Sequence, residues 1–243
     1  MAKKGRKKHL KRLNAPKIRR ISRKEEKWAI NASPGPHPSV EALPLAVALR
    51  DDLEFAKNRR EAQNILGKGE VVVDGKVRRD EGYPIGLMDV IGFSRTGEYW
   101  RVFPDRKGRF RFFEIDEEEA NFKLGKVTEK SPYKGGRLQI SLHDGKTIIG
   151  DFDGINVDDS IKISLPDLDL IDHIPLEKGH LVLVTGGNNV GMTGRIEEIR
   201  RIEGPSPDQF IISHDEEEFQ VPENYLFVIG EDKSKITLPK EIE

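Results

Sequence analysis

The chain has no cysteine. That excludes disulfides and thiolate metal sites, and it suits a reducing compartment. It has no apolar run long enough to span a bilayer. Its charged start lacks the apolar segment of a secretory signal, and residues 1–24 carry a single serine, unlike a mitochondrial transit peptide. A cytoplasmic location is the expectation. Aromatic residues are only 7%, and hydrophobic residues (36%) barely outnumber charged ones (34%). This is lean for one large core in 243 residues, so several small domains are expected. The 23 glycines and 14 prolines imply many turns and hence β structure.

Catalytic signatures are also missing. The six histidines are scattered, with no i,i+4 pair, so a zinc site is not expected. No serine sits in a G-x-S-x-G setting. The stretch Gly186 to Thr193 nearly spells a phosphate loop, but Met192 replaces the phosphate-binding lysine and the next residues alternate like a strand. Asp151, Asp153, Asp158 and Asp159 fail the EF-hand spacing at Asn156 and Lys162, and read as solvated loop acids. No catalytic residue, cofactor, metal or small-molecule substrate is expected.

What the chain does have is a lopsided charge. Residues 1–24 hold seven lysines, five arginines and no acid, which is +12. The whole chain carries −1, so the remainder carries −13. A basic arm on an acidic body is the picture. With only Leu10, Leu13, Ile18 and Ile21 as large apolar residues, the arm is expected to be disordered in isolation and to order on a polyanion. Its candidate contacts are Lys3, Lys4, Arg6, Lys7, Lys8, Lys11, Arg12, Lys17, Arg19, Arg20, Arg23 and Lys24. A solubilising tail, a nuclear import signal and an arm for an acidic protein are the other readings. If about 6–10 cations neutralise phosphates, affinity falls on the order of 10³–10⁵ between about 50 and 200 mM salt. Asn31 to Pro38 forms a stiff Pro-rich connector, and His37 within it is read as a loop residue at the RNA.

The centre of the pattern lies between Arg59 and Val90. Ala62, Ile65 and Leu66 recur at helical spacing, and Gly67 and Gly69 mark the helix end. Val71 to Val73 then enters Asp74-Gly75, a strong hairpin signal because both turn residues need positive φ. Leu43 to Phe55 supplies a first helix, with Pro44 in its first turn and Leu45, Ala48, Leu49 and Leu53 on one face. Arg59, Arg60, Lys68, Lys76, Arg78 and Arg79 flank this elbow. On the residues alone they are either a solvated surface or a row for phosphates. The stretch resembles the alpha-L RNA-binding module through Arg60-Glu61-Ala62, Ile65-Leu66 and Val73 to Arg78, which tips the choice to RNA.

Beyond residue 95, Tyr99, Arg101 and Phe103 alternate, as do Arg109 to Phe112. Phe inside and Arg outside a β domain is preferred over a base-stacking surface. Further short strands include Leu138–Ile140 and Thr147–Ile149. Leu181 to Val184, a glycine-rich turn over 186–194 and Arg195 to Ile199 resemble the KOW motif, a hairpin of a small barrel. The expected domains are 1–40 (arm and connector), 41–95 (alpha-L module), 96–172 (central β domain) and 173–243 (KOW barrel). The fold class is α+β and multidomain, with an SH3-like barrel at the end.

In this order the pieces resemble the archaeal and eukaryotic-type small-subunit ribosomal protein four family. The words that carry the likeness include Ser33 to His37, Val73 to Arg78, Tyr83-Pro84, Gly86 to Val90, His143-Asp144-Gly145, Gly186-Gly187-Asn188 and Phe227 to Gly230. Met192-Thr193 and the Pro239–Glu243 end depart from the family's usual residues. The resemblance implies a non-enzymatic component of the small ribosomal subunit. Its partners would be ribosomal RNA and neighbouring ribosomal proteins, with Asn188 and Arg195 extending the RNA footprint. No membrane and no obligate homo-oligomer are expected. An RNA-modifying enzyme and a transcription-elongation factor are the rivals, since these modules occur there too.

Overall fold

The sequence alternation closes into antiparallel sheets in the computed structural model, which describes residues 9–22, 24–204, 206–214 and 217–239. The first pieces belong to the arm. Strand β1 (Leu10–Lys11) pairs with β2 (Trp28–Ala29). Between them Ile18 and Ile21 pack against the first core, and Phe110 N–H donates to the Ile18 carbonyl at 3.2 Å. The described stretch 9–22 is therefore seated on the body and not the disordered arm expected from its composition. Its few apolar side chains suffice because Arg19 anchors it with three hydrogen bonds to carbonyls.

Strand β3 (Leu43–Pro44) leads into α1 (Leu45–Val47), which continues as a wider π turn over Ala48–Asp52. Helix α2 (Arg59–Lys68) follows. Asn58 caps it, accepting from Glu61 N–H at 3.0 Å, and Gly69 ends it in the left-handed region at φ 75°. Ala62 and Leu66 are its buried face, as the spacing predicts. Strands β4 (Val71–Val73) and β5 (Lys76–Val77) form the hairpin, with Asp74 at φ 49° and Gly75 at φ 75°. Strand β6 (Pro84–Ile85) pairs back to β3.

Next come β7 (Val90–Phe93), β8 (Glu98–Pro104) and β9 (Phe110–Ile115). They join the hairpin in one sheet of order β5-β4-β7-β8-β9. The division drawn after residue 95 thus cuts through a sheet: β7 and β8 are hydrogen-bonded across it. In that sheet Phe103 and Phe110 are buried, as expected. Arg101 reverses the expectation. It is fully buried, donating to the Glu119 carbonyl at 3.0 Å and the Phe122 carbonyl at 2.9 Å.

After α3 (Glu117–Ala120), the central sheet holds β10 (Phe122–Pro132), β11 (Leu138–Leu142), β12 (Thr147–Gly150), β13 (Ser160–Ser164) and β14 (Leu170–Ile174). Their order is β12-β11-β10-β13-β14. The last sheet contains β15 (Leu181–Val184), β16 (Thr193–Arg200), β17 (Gln209–His214), β18 (Glu217–Pro222) and β19 (Leu226–Gly230), in the order β18-β17-β16-β15-β19. Its core takes in Met88 from the turn between β6 and β7, and Phe103 and Leu124 from the earlier sheets. The units therefore share apolar contacts instead of hanging as separate beads. Asp159, read from sequence as a solvated loop acid, is buried: it accepts from the Asn156 and Leu176 N–H groups and pairs with His173 at 2.8 Å. Asp158 pairs with Lys126.

Candidate nucleic-acid interface

The elbow holds its cations in several ways. Arg60 and Lys68 are exposed on α2, and Lys76 and Arg79 are exposed on and after β5. The Arg79 guanidinium lies over Gly69, where an added Cβ would come within 2.9 Å of it. Lys68 and Arg79 therefore sit together at the C-terminal end of α2, where cations suit the helix dipole. Arg78 is half-buried, with its guanidinium 4.4 Å from the centre of the Tyr83 ring. Arg59 is committed within the protein: its Nε donates to Glu81 at 2.8 Å, and Gln63 donates to the same carboxylate at 2.8 Å. The Arg59 hydrogen bond, working against burial, holds the Glu81 carboxyl below its ordinary value.

The Asp74 side of the hairpin turn faces inward. Asp74 is buried, and a Cβ on Gly75 would meet the Pro166 side chain at 2.8 Å. Asp74 joins a buried ionic cluster that sequence reasoning did not find. The Lys123 ammonium sits among Asp74 (3.0 Å), Asp144 (2.7 Å) and Asp89, all buried. Lys146 bonds to Asp74 and, at 2.9 Å, to Asp144. Burial alone would make Lys123 easier to deprotonate, but the three carboxylates outweigh it and hold the ammonium well above its ordinary pKa. Burial likewise opposes ionisation of Asp89 and Asp144. His37 and Lys123 overcome it at Asp89, and Lys123 and Lys146 overcome it at Asp144, so both stay well below the usual carboxylate range. The three carboxylates lie close enough to hold a metal ion, and are the only such group among the described residues. The cation among them is the lysine's own.

His37 belongs to this cluster. Its Nε2 is 2.9 Å from Asp89 Oδ2 in a buried setting, and Gly86 leaves room for its ring. The expectation of an RNA-facing loop histidine is corrected to a structural one. His143 lies beside it, accepting from Lys126 N–H at 3.2 Å and bonded to the Leu87 carbonyl at 3.1 Å. Lys126 in turn donates to the Leu226 and Glu223 carbonyls at 3.0 and 3.2 Å, tying the central sheet to the last one.

Two arm residues are corrected in the same way. Arg19 is 3% exposed, and donates to the carbonyls of Ile30 (3.0 Å), Ala42 (3.1 Å) and Ser39 (3.2 Å). Burial brings its pKa down to about 10. Arg12 is buried against Glu26 (3.0 Å) and Glu25 (3.8 Å). Three carbonyls take up the Arg19 guanidinium, and Glu26 holds that of Arg12, whose Nε is buried without a hydrogen-bond partner, so neither faces outward to phosphate. Lys11, Lys17, Arg20 and Lys24 are exposed. Lys3, Lys4, Arg6, Lys7, Lys8 and Arg23 lie outside the described residues. In the last sheet Asn188 is exposed on the 185–192 loop. Arg195 is exposed but spends its guanidinium on the Gly179 carbonyl (3.0 Å) and the Asp232 carbonyl (2.5 Å).

Three family models match successive parts of the chain: the RS4NT (NUC023) domain over residues 4–39, the S4 domain over 43–91, and Ribosomal family S4e over 96–169. Small ribosomal subunit protein eS4 of Methanothermobacter thermautotrophicus is 44% identical over 96% of this chain and 96% of its own length. The chain belongs to ribosomal family S4e. The eS4 protein of Staphylothermus marinus is 40% identical across 99% of both chains. The crystal structure of 30S ribosomal protein S4e from Thermoplasma acidophilum superposes with a TM-score of 0.68 at 34% identity, covering 78% of this chain and 95% of that one. In this member of S4e, the S4 domain match spans α1, α2, the hairpin and Asp89, which are the elbow and two residues of its buried anchor, Asp74 and Asp89. The words shared between His37, Asp74, Asp89 and His143-Asp144 thus meet in one place: His37 bonds to Asp89, and Lys123 bridges Asp74, Asp89 and Asp144.

Proposed function

We propose that this chain is a structural constituent of the small ribosomal subunit that binds ribosomal RNA, without catalysing a reaction. Membership of S4e carries the reading, since relatives matching nearly end to end are named as small-subunit ribosomal proteins. The chemistry agrees. Lys11, Lys17, Arg20 and Lys24 on the arm, and Arg60, Lys68, Lys76 and Arg79 on the elbow, are exposed cations carried on backbone that the fold fixes. Arg78, stacked on Tyr83, presents a flat guanidinium beside them. Such a set suits phosphates and sugars, and duplex RNA is recognised mainly by shape and backbone because its major groove hides the base edges. The partners are small-subunit ribosomal RNA and neighbouring ribosomal proteins, and the place of action is the cytoplasmic ribosome. No helix among the described residues is long and apolar enough to cross a membrane. The last sheet is taken to be the KOW-type barrel, with Asn188 on its loop; positive φ at Gly187 and Gly191 on either side supports that loop's tight path.

Sedimentation of the tagged full chain through a sucrose gradient tests the reading. Co-migration with the small subunit, abolished by nuclease treatment, is the expected result. A chain that stays at the top of the gradient while subunits sediment would contradict it.

A further inference from the structure

A second basic surface lies away from the elbow, built from two segments far apart in sequence and braced by a third that does not line it. The first is the arm, which runs along the β9 edge through the Phe110 N–H to Ile18 carbonyl bond and brings Arg20 there. The second is the turn between β8 and β9. Asp105 shapes it by accepting from the Lys107 and Arg109 N–H groups at 2.8 Å, with Gly108 at φ 69°. The third is the 185–192 loop. Gly191 (φ 78°) is pressed against the Asp105–Arg106 main chain, so that a Cβ there would lie 2.7 Å from the Asp105 carbonyl carbon.

Where they meet, Arg20, Arg106, Lys107, Arg109 and Arg111 line a cleft of about 250 Å³, with Phe113 in its wall. The opposing acid in the lining is Asp105, whose Oδ1 is spent on the turn and whose Oδ2 lies 3.8 Å from Arg111. Five cations face one acid in the lining; behind it Asp52 interacts with Arg20 and Arg111, and burial pushes its pKa up to about 7. Arg20, Arg106, Lys107 and Arg109 are exposed, so binding does not require them to leave an interior. Arg20 comes from the arm, Arg106, Lys107 and Arg109 from the turn and Arg111 from β9, a set of separate cations that suits the successive phosphates of a backbone. Half-buried Phe113 offers an apolar face for a ribose or a base.

Position separates this cleft from the elbow. Lys76 lies on β5 at one edge of the five-stranded sheet, and Arg109 and Arg111 flank or lie on β9 at the other. Four inter-strand spacings put the edges about 19 Å apart. We propose that this cleft is a second RNA-backbone site, so that the chain grips two segments of one folded RNA, one at each edge of the sheet. The inference rests on the reading that the chain binds RNA. Two linked grips on one RNA act by raising effective concentration, so the removal of either weakens binding strongly.

Two variants of the full chain test it: R106Q/K107Q/R109Q in the cleft and R60Q/K68Q/K76Q/R79Q in the elbow. Each is checked for an unchanged unfolding midpoint, and the single change Lys107→Glu serves as a second cleft probe. The RNA is small-subunit ribosomal RNA transcribed in vitro. The cleft variant is expected to bind about tenfold or more weakly at roughly 100 mM salt. Its slope of log K against log salt should be shallower by about 2–3, near one for each phosphate no longer neutralised. Backbone footprinting should show one segment losing protection in the cleft variant and a different one in the elbow variant. Unchanged affinity, slope and footprint in both cleft variants, with the elbow variant weakened, overturns this inference alone. Deprotection of the same nucleotides in both sets overturns it too. If the unmodified chain binds no RNA, the functional reading fails first and takes this one with it.

Discussion

Replacing Lys123 with methionine leaves Asp74, Asp89 and Asp144 facing one another without their central cation. Breaking a buried pair by removing one partner costs about 3–5 kcal/mol, because the remaining charge stays desolvated. Here three carboxylates are left, with Lys146 and His37 as partial compensation. A loss of about 3–5 kcal/mol at neutral pH is expected in urea unfolding. A loss below about 1 kcal/mol would show that the cluster does not hold the units together. His143 gives a pH test. Burial first, and then Lys123, push its pKa from the usual 6.5 down to about 4. Between those values the unfolded chain binds a proton that the folded one refuses. Stability therefore falls as pH drops from 6.5 towards 4, by up to about 1.4 kcal/mol per unit and about 3 in all. NMR titration should find the ring neutral at about pH 5, between the two values. A midpoint near 6.5 would contradict the arrangement.

The elbow shows why two glycines of one element behave differently. Gly67 lies inside α2 with nothing within 4 Å of an added Cβ. Gly67→Ala should stabilise by up to about 1 kcal/mol, since alanine is the better helix former. Gly75 has φ 75° and faces Pro166, so Gly75→Ala is strained and crowded, and should destabilise by about 1–3 kcal/mol. Thermal unfolding of the pair checks the opposite signs. This element was largely legible in the sequence, because its signals are local. The Ala62, Ile65 and Leu66 spacing gives α2, and Asp74-Gly75 gives the turn. The anchor beneath it was not legible. His37, Asp74, Asp89, Lys123 and Asp144 are spread over more than a hundred positions, and in a chain rich in acids none stands out. Arg12 and Arg19 were misread for a related reason: a charge count gives the number of cations but not which of them the fold turns inward, Arg12 onto Glu26 and Arg19 onto three carbonyls. Arg101, in a strand that alternates correctly, was missed in the same way.

At the scale of the molecule, one division of labour runs through the chain. Charges that are buried make structure: Lys123 joins the elbow to the central sheet, Lys126 joins that sheet to the last one, and Arg19 seats the arm. Charges left exposed on the arm and elbow are the ones available to RNA. With a net −13 outside residues 1–24, the proposed binding by the body depends on where cations stand and not on overall charge. The central claim is that phosphate binding by the exposed elbow cations carries much of the affinity. It is tested most directly by the salt dependence of binding to small-subunit ribosomal RNA, for the unmodified chain and for R60Q/K68Q/K76Q/R79Q. The account predicts a linear, steeply negative plot of log K against log salt, shallower in the variant by about 3. The same slope in both proteins, or binding indifferent to salt, would contradict it.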